Sequence, residues 1–461
     1  MVEVTSPGNL NFTKINKALL TPINKVNDSV QELSLIKYII SFEFTTRMDN
    51  HTLFGTLILN DYDGIMNNEM FTITGEEFVI IEMENIEGTK FYYKFVVGGI
   101  DLEVKNESGD SALLILSLVS VDFFSNSFLF KSRGYVNLNI TDIVKKILDE
   151  ELRSEIPLET FEDTLSSRTF AFTKIRPFEK IEILQQQSYS KNDYLFSKFF
   201  FYETKTGYNF RSFEDIIKKS NANTTPLTYY YSELSANLKI GNPFFRNIKK
   251  YEAFTRSNNF ERIINGFYSG EVQRFDFNTK RVTKELFSMA DDIKKFVHVG
   301  TDDKTLENLS LNVSENFSKS IGKSSMYTYF LPWNSEDEMN DLTYKYYQYT
   351  KPFNHLLKEN TLNIIIDGTF LIELGDPLIV EITDNNHPND MNKNIDMRYS
   401  GRYIVHGINH IIQQKDQFGM FYHDMCVSLV RDLMPISQTK FNEKTFNGYD
   451  IKTLQNTDYI S

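Results

Sequence analysis

His406, His410, His423 and Asp424 are the residues of this chain whose types could assemble a metal centre, and Cys426, close by, is its one thiol. Zinc ligands must converge to within about 2.1 Å of the ion. His406 and His410 stand four apart in a run of strand character, where they face the same way but lie roughly 13 Å apart along the chain. They read as hydrogen-bonded strand histidines, so neither a metal nor a cofactor is expected. Cys426 sits between Met425 and Val427, the setting of a small buried hydrophobe rather than a nucleophile. No H-E-x-x-H, G-x-S-x-G or Walker-type glycine loop occurs, which removes the common hydrolytic signatures. Carboxylate pairs of the glycosidase kind can be drawn from any acidic chain and carry no signal alone. The expectation is a protein that is not an enzyme.

Composition narrows the class further. The 461 residues allow three domains of about 150 each and hold 39 Phe and 25 Tyr against one Trp, a balance that leans toward strands. A net charge of −13 argues against a surface that binds nucleic acid by releasing counterions. One cysteine excludes an internal disulfide framework and suits a reducing compartment, so folding in cytoplasm is expected. The N-terminal residues lack a basic start and apolar run, and Ser111 to Phe124 is too short to span a bilayer, so no membrane insertion is expected.

The elements that must position any site centre on Arg176 to Lys219, which reads as helix, hairpin, helix. Pro177 suits a first helical turn, and Phe178, Ile181 and Leu184 recur on one helical face. Tyr194 to Tyr202 and Tyr208 to Ser212 read as strands joined by a turn at Glu203 to Gly207. Phe200 or Phe201 should be core, Gly207 should hold positive φ, and Lys205 at the loop tip should be dispensable. Ser212, three residues before Asp215, opens the second helix.

On either side the pattern is mostly extended. Residues 1–34 lack a sustained period and read as an N-terminal arm. In 35–130, five runs separated by turn residues suit a first small antiparallel β-barrel. The β pattern stops near Leu129 to Gly134, and 131–220 forms an α+β domain, with Ile143, Val144, Ile147, Leu148 and Leu152 on one helical stripe that Thr141 could cap. Residues 221–358 read as a mixed region: extended pieces, a polar loop over Asp291 to Ser325, and a bridging helix over Glu336 to Leu357. In 359–435 a second small barrel is expected, with Gly375 and Pro377 in a tight turn and Gly401 at a strand start. Residues 436–461 form a C-terminal tail. The fold class is mainly β with an α+β portion, two barrels flanking the α+β domain.

Two phrases are more specific than these patterns. PFEKIEIL followed by the aromatic hairpin resembles the baseplate hub subunit of contractile phage tails, with Phe201, Tyr202, Glu203, Gly207, Tyr208, Asn209, Phe210, Arg211 and Ser212 in the matching places. Later, Leu374, Gly375, Asp376, Tyr399, Ser400, Gly401, Tyr403, His410, Arg431 and Asp432 match a second phrase of that family and of the related spike-bearing proteins of contractile injection systems. The resemblance implies a homotrimeric ring that joins a sixfold tail tube protein to a threefold central spike protein. Baseplate wedge proteins would be further partners, and DNA would touch the chain only in passage. It implies a place in the virion tail baseplate, with assembly in the host cytoplasm. The structural or interface candidates are Phe201, Tyr202, Gly207, Tyr208, Phe210, Arg211, Gly375, Asp376, Tyr399, Gly401 and His410. The alternative is a tail-associated cell-wall hydrolase.

Overall fold

The computed structural model describes residues 12–22, 32–63, 73, 75, 77–85, 88–105, 112–165, 167–192, 198–231, 246–255, 269–276, 279–288, 296–300, 328–333, 357, 360–383, 396, 399–415 and 420–432. The first part of the chain gives β1 (Phe12–Pro22), β2 (Leu33–Ser34), β3 (Ile39–Arg47), β4 (Phe54–Asp61), β5 (Glu77–Glu84), β6 (Lys90–Lys105) and β7 (Ala112–Ser120). Helix α1 (Val121–Phe128), β8 (Lys131–Asn139), α2 (Ile140–Lys146), a π-helical turn (Ile147–Leu152), β9 (Leu158–Phe161) and β10 (Ser167–Ile175) follow. The aromatic segment contributes α3 (Pro177–Gln186), β11 (Phe199–Glu203), β12 (Tyr208–Ser212) and α4 (Phe213–Ala222). Then come β13 (Leu227–Tyr231), β14 (Ile248–Thr255), β15 (Ser269–Asp276), β16 (Val282–Ser288) and β17 (Thr328–Trp333). The last part holds β18 (Asn360–Asp367), β19 (Pro377–Ile382), β20 (Gly401–Gln414) and β21 (Met420–Val430).

Among the described residues, thirteen strands join in one sheet rather than in two sheets separated along the sequence. Its pairings close two circuits. The first runs β20, β3, β4, β7, β6, β5, β1, β21 and back to β20, antiparallel throughout. The second runs from β21 through β18 to β14, across a single bridge from Asn247 to Tyr230 of β13, and on through β19 to β20. The β20–β21 hairpin serves both circuits because its strands are long: Gly401 to Ile404 pair with β19, whereas Gly407 to Gln413 pair with β3. Barrels confined to 35–130 and 359–435 are the expectation from sequence; the first circuit instead takes β20 and β21 from the far end of the chain.

Strict alternation makes the first circuit. In β5 and β7 every second side chain is buried, the period-two pattern of a strand with one face inward. The inward set includes Phe42, Leu57, Val79, Ile81, Phe95, Leu114 and Leu116. Residues 12–22, expected as part of an irregular arm, form β1 of this circuit. A bulge between Ile15 and Lys17 shifts its register, so Phe12, Ile15, Ala18 and Leu20 are buried without an even spacing that sequence inspection detects. The second circuit encloses Leu362, Ile364, Ile366, Leu378, Val380, Ile404, Val427 and Leu429.

Residues 121–222 supply helices α1 to α4 and the π turn. The stripe Ile143, Val144, Ile147, Leu148 and Leu152 is buried, together with Phe178, Ile181 and Leu184 of α3 and the inward aromatics of β11 and β12. Pro177 takes the first position of α3, and Ser212 Oγ accepts the Asp215 N–H at 3.2 Å at the start of α4. The α3 residue Lys180 is buried and pairs with Glu151 of the π turn at 2.5 Å, while Tyr135 donates to the same carboxylate. Three local expectations are corrected. β8 continues the β structure where it was expected to stop. Thr141 does not cap α2, because its hydroxyl donates to the Glu162 carbonyl at 2.7 Å. Within the expected polar loop, Phe296, His298 and Val299 are buried, since apolar side chains two or three apart can dock a short segment without setting a period. The helix expected over Glu336 to Leu357, apart from Leu357 itself, and the tail over 436–461 lie outside the described residues.

Candidate functional site

The aromatic hairpin divides its side chains between two of the three cores. Alternation along β11 sends Phe199 and Phe201 into the α+β core, while Phe200 and Tyr202 enter the core of the second circuit. Tyr208 and Phe210 of β12 join the first of these cores and Phe213, just after β12, the second. Phe201 stacks on Tyr208 with centroids 4.9 Å apart, a pairing that adds about 1 kcal/mol beyond burial. All four hairpin aromatics singled out from the sequence, Phe201, Tyr202, Tyr208 and Phe210, are therefore internal supports and offer no free surface. Arg211, half-buried at the strand end, donates from Nε to Asp215 Oδ2 at 2.8 Å and ties the hairpin to α4.

Glu203, the last residue of β11, is buried against the first circuit, where its carboxylate accepts the Leu53 N–H at 3.2 Å. Burial pushes its pKa up to about 8, only partly offset by that hydrogen bond, and Asp122 close by raises it further. Asp122 itself, raised by burial, accepts from Tyr208 Oη at 2.9 Å and from Ser154. Burial thus favours the protonated form of Glu203 where the hairpin docks on the first circuit.

The loop that follows is held from both sides. Gly207 has φ +152°, and a Cβ there would stand 2.3 Å from the Pro157 carbonyl oxygen. Lys205, expected to be dispensable, is instead an anchor: Nζ donates to the Phe370 carbonyl at 2.5 Å and pairs with Glu373 at 2.9 Å. Gly375 turns with φ +89°, and Asp376 closes that turn by accepting the Glu373 N–H at 2.8 Å.

His410 and His423 face each other across β20 and β21. Their ring nitrogens share a hydrogen bond of 2.9 Å, and His423 shares a second, also 2.9 Å, with Thr13 of β1. His410 stacks on Phe44 at 4.4 Å. Burial drives both imidazoles below their ordinary range, His423 to about 4. A neutral pair serves as a structural joint between three strands. His406 lies at the β20 bulge, away from them, against Phe200. Among the described residues, no three His, Cys, Asp or Glu side chains gather as metal ligands.

The residues of the second phrase tie the chain end down. Tyr399 accepts the Tyr403 hydroxyl through its carbonyl at 2.8 Å, and Gly401 starts β20 with φ +131°. Arg431 donates to the Ser400 carbonyl at 3.0 Å and lies over the Tyr403 ring. Asp432 accepts the Val299 N–H at 3.0 Å and pairs with His298 Nδ1 at 2.5 Å. This His–Asp pair was not anticipated from the sequence, because its members stand 134 positions apart with no local motif. Both side chains are inaccessible to solvent, which suits a clasp and not a general base that must reach substrate.

No family model matches the chain, and no curated protein matches it. Solved structures do. A tail protein from Neisseria meningitidis MC58 superposes with a TM-score of 0.52 at 9% identity, covering 91% of this chain and 97% of that one. The 43 kDa tail protein of prophage MuSo2 from Shewanella oneidensis gives 0.51 at 10% identity, covering 90% and 98%. The chain shares the fold of these tail proteins, in agreement with the tail family that its two phrases resemble.

Proposed function

We propose that the chain is a non-enzymatic structural subunit of a phage tail baseplate hub. Three copies close into a ring that receives the sixfold tail tube protein on one side and the threefold central spike protein on the other. Baseplate wedge proteins surround it, and DNA passes through its centre. The observation that carries this reading is the tail-protein fold shared over nearly the whole length of both chains. The two fused circuits support it: three copies bring six circuits around one axis, which suits a sixfold partner above and a threefold partner below. The acidic balance of the chain suits a channel that must not retain a polyanion. Assembly takes place in the host cytoplasm before the tail enters the virion.

With the hairpin aromatics and His410 internal, ring contacts fall to exposed apolar residues such as Ile40 and Ile100 on the outward faces of β3 and β6. Single-particle images of the purified chain test the reading. Threefold rings are expected, lost on Ile40→Asp with Ile100→Asp; monomeric particles from the unaltered chain would refute it.

A further inference from the structure

α2 and the π turn run beside β9, from Thr141 near Glu162 to Lys145, whose Nζ lies 5.8 Å from the Phe161 ring centroid. Between them lies a cavity of about 290 Å³, with Leu148, Ile156 and Leu158 as its apolar walls and Lys145, Lys146 and Asp149 as its charged ones. Ser154 also lines it, with its hydroxyl already engaged by Asp122. Three further features coincide here. The π helix Ile147–Leu152 is a rare form that recurs at functional sites. Arg153, which ends it, holds φ +56°, a left-handed conformation that costs a non-glycine residue energy. β9 is bonded to β12 on one side, and among the described residues no strand pairs with its other edge.

A cavity lined by a helix and by the first residue of an edge strand fits the way proteins capture extended peptides: main-chain hydrogen bonds supply attraction and a side-chain pocket supplies selection. Two lysines against one aspartate set its charge preference, on a chain that is otherwise acidic. We propose that this groove takes an extended segment of a partner protein. The segment adds to β9, lays an apolar side chain on Leu148, Ile156 and Leu158, and sets a carboxylate between Lys145 and Lys146. The four residues of β9 permit few main-chain bonds, so the contact is a weak one that gains strength when several copies present it together. The proposal stands independently of the hub reading.

The test uses the full chain and a short fluorescein-labelled peptide of alternating threonine and valine that carries one phenylalanine followed by glutamate. Saturable anisotropy is expected, weakened about fivefold or more by replacing the peptide glutamate with lysine, as loss of a charge contact requires. Lys145→Glu with Lys146→Glu should weaken the glutamate peptide equally and restore the lysine peptide. The peptide exchange needs no protein variant, so a folding defect cannot hide the answer. Equal binding of both peptides, or no saturation, would overturn the proposal. Self-association that the same charge reversal abolishes, without peptide binding, would assign the groove to a second copy and overturn it equally.

Discussion

Gly207 and Lys205 show how much a loop of a few residues can carry. At Gly207 the obstacle to substitution is the Cβ itself, which meets Pro157 backbone, and not β-branching beyond it. Gly207→Ala and Gly207→Val should therefore both destabilise the chain, on the order of 3 kcal/mol, from strain and overpacking. Urea melts read this; an alanine variant that melts like the parent would show that the loop yields. Lys205→Ala should cost about 1 kcal/mol through its lost hydrogen bond and partly screened ion pair, where a free loop tip would show no change. Glu203 adds a pH dependence. Its folded pKa near 8 exceeds the ordinary 4.5, so the stability it contributes is whole below pH 4.5 and is lost as pH rises to about 8. Glu203→Gln keeps an acceptor for Leu53 N–H and removes the charge. Its advantage over the parent should grow between those limits, to at most about 5 kcal/mol, and then level off. Thermal melts across pH 4 to 9 that differ by a constant amount would contradict this.

At the scale of elements, the clasp of Asp432 on His298 and Val299 makes a prediction of its own. Asp432→Ala removes the acceptor of the Val299 amide, so hydrogen exchange over 296–300 should quicken by roughly tenfold or more, as loss of a buried hydrogen bond implies. Unchanged exchange would mean that apolar packing alone holds the segment. The same clasp marks the boundary of what sequence inspection can reach. α3, the β11–β12 hairpin and the strands β3 to β7 were legible because each carries its own period, cap or turn residues within one window. β1 was not, because a bulge breaks its alternation, and the sharing of β20 and β21 was not, because strand length does not reveal partners on both sides. The hairpin aromatics were found as important residues, but sequence could not tell a support between two cores from a contact surface, since both demand large apolar side chains. His298 with Asp432, and Thr13 with His423, are joined only by the fold.

For the whole molecule, the arrangement of supports and surfaces explains why polar chemistry is spent on joints. The histidine pair, the Asp432 clasp, the buried Lys180–Glu151 pair and Glu203 all fasten strands or helices to one another, and the proposed ring contacts fall to the outward faces of the first circuit. On the proposed ring reading, such a subunit would bury a large apolar interface and have little stability as a separate protomer. Light scattering on the purified chain at micromolar concentration tests that claim most directly. A single species of three times the 53.9 kDa chain mass is expected; a stable monomer across that range would refute the ring.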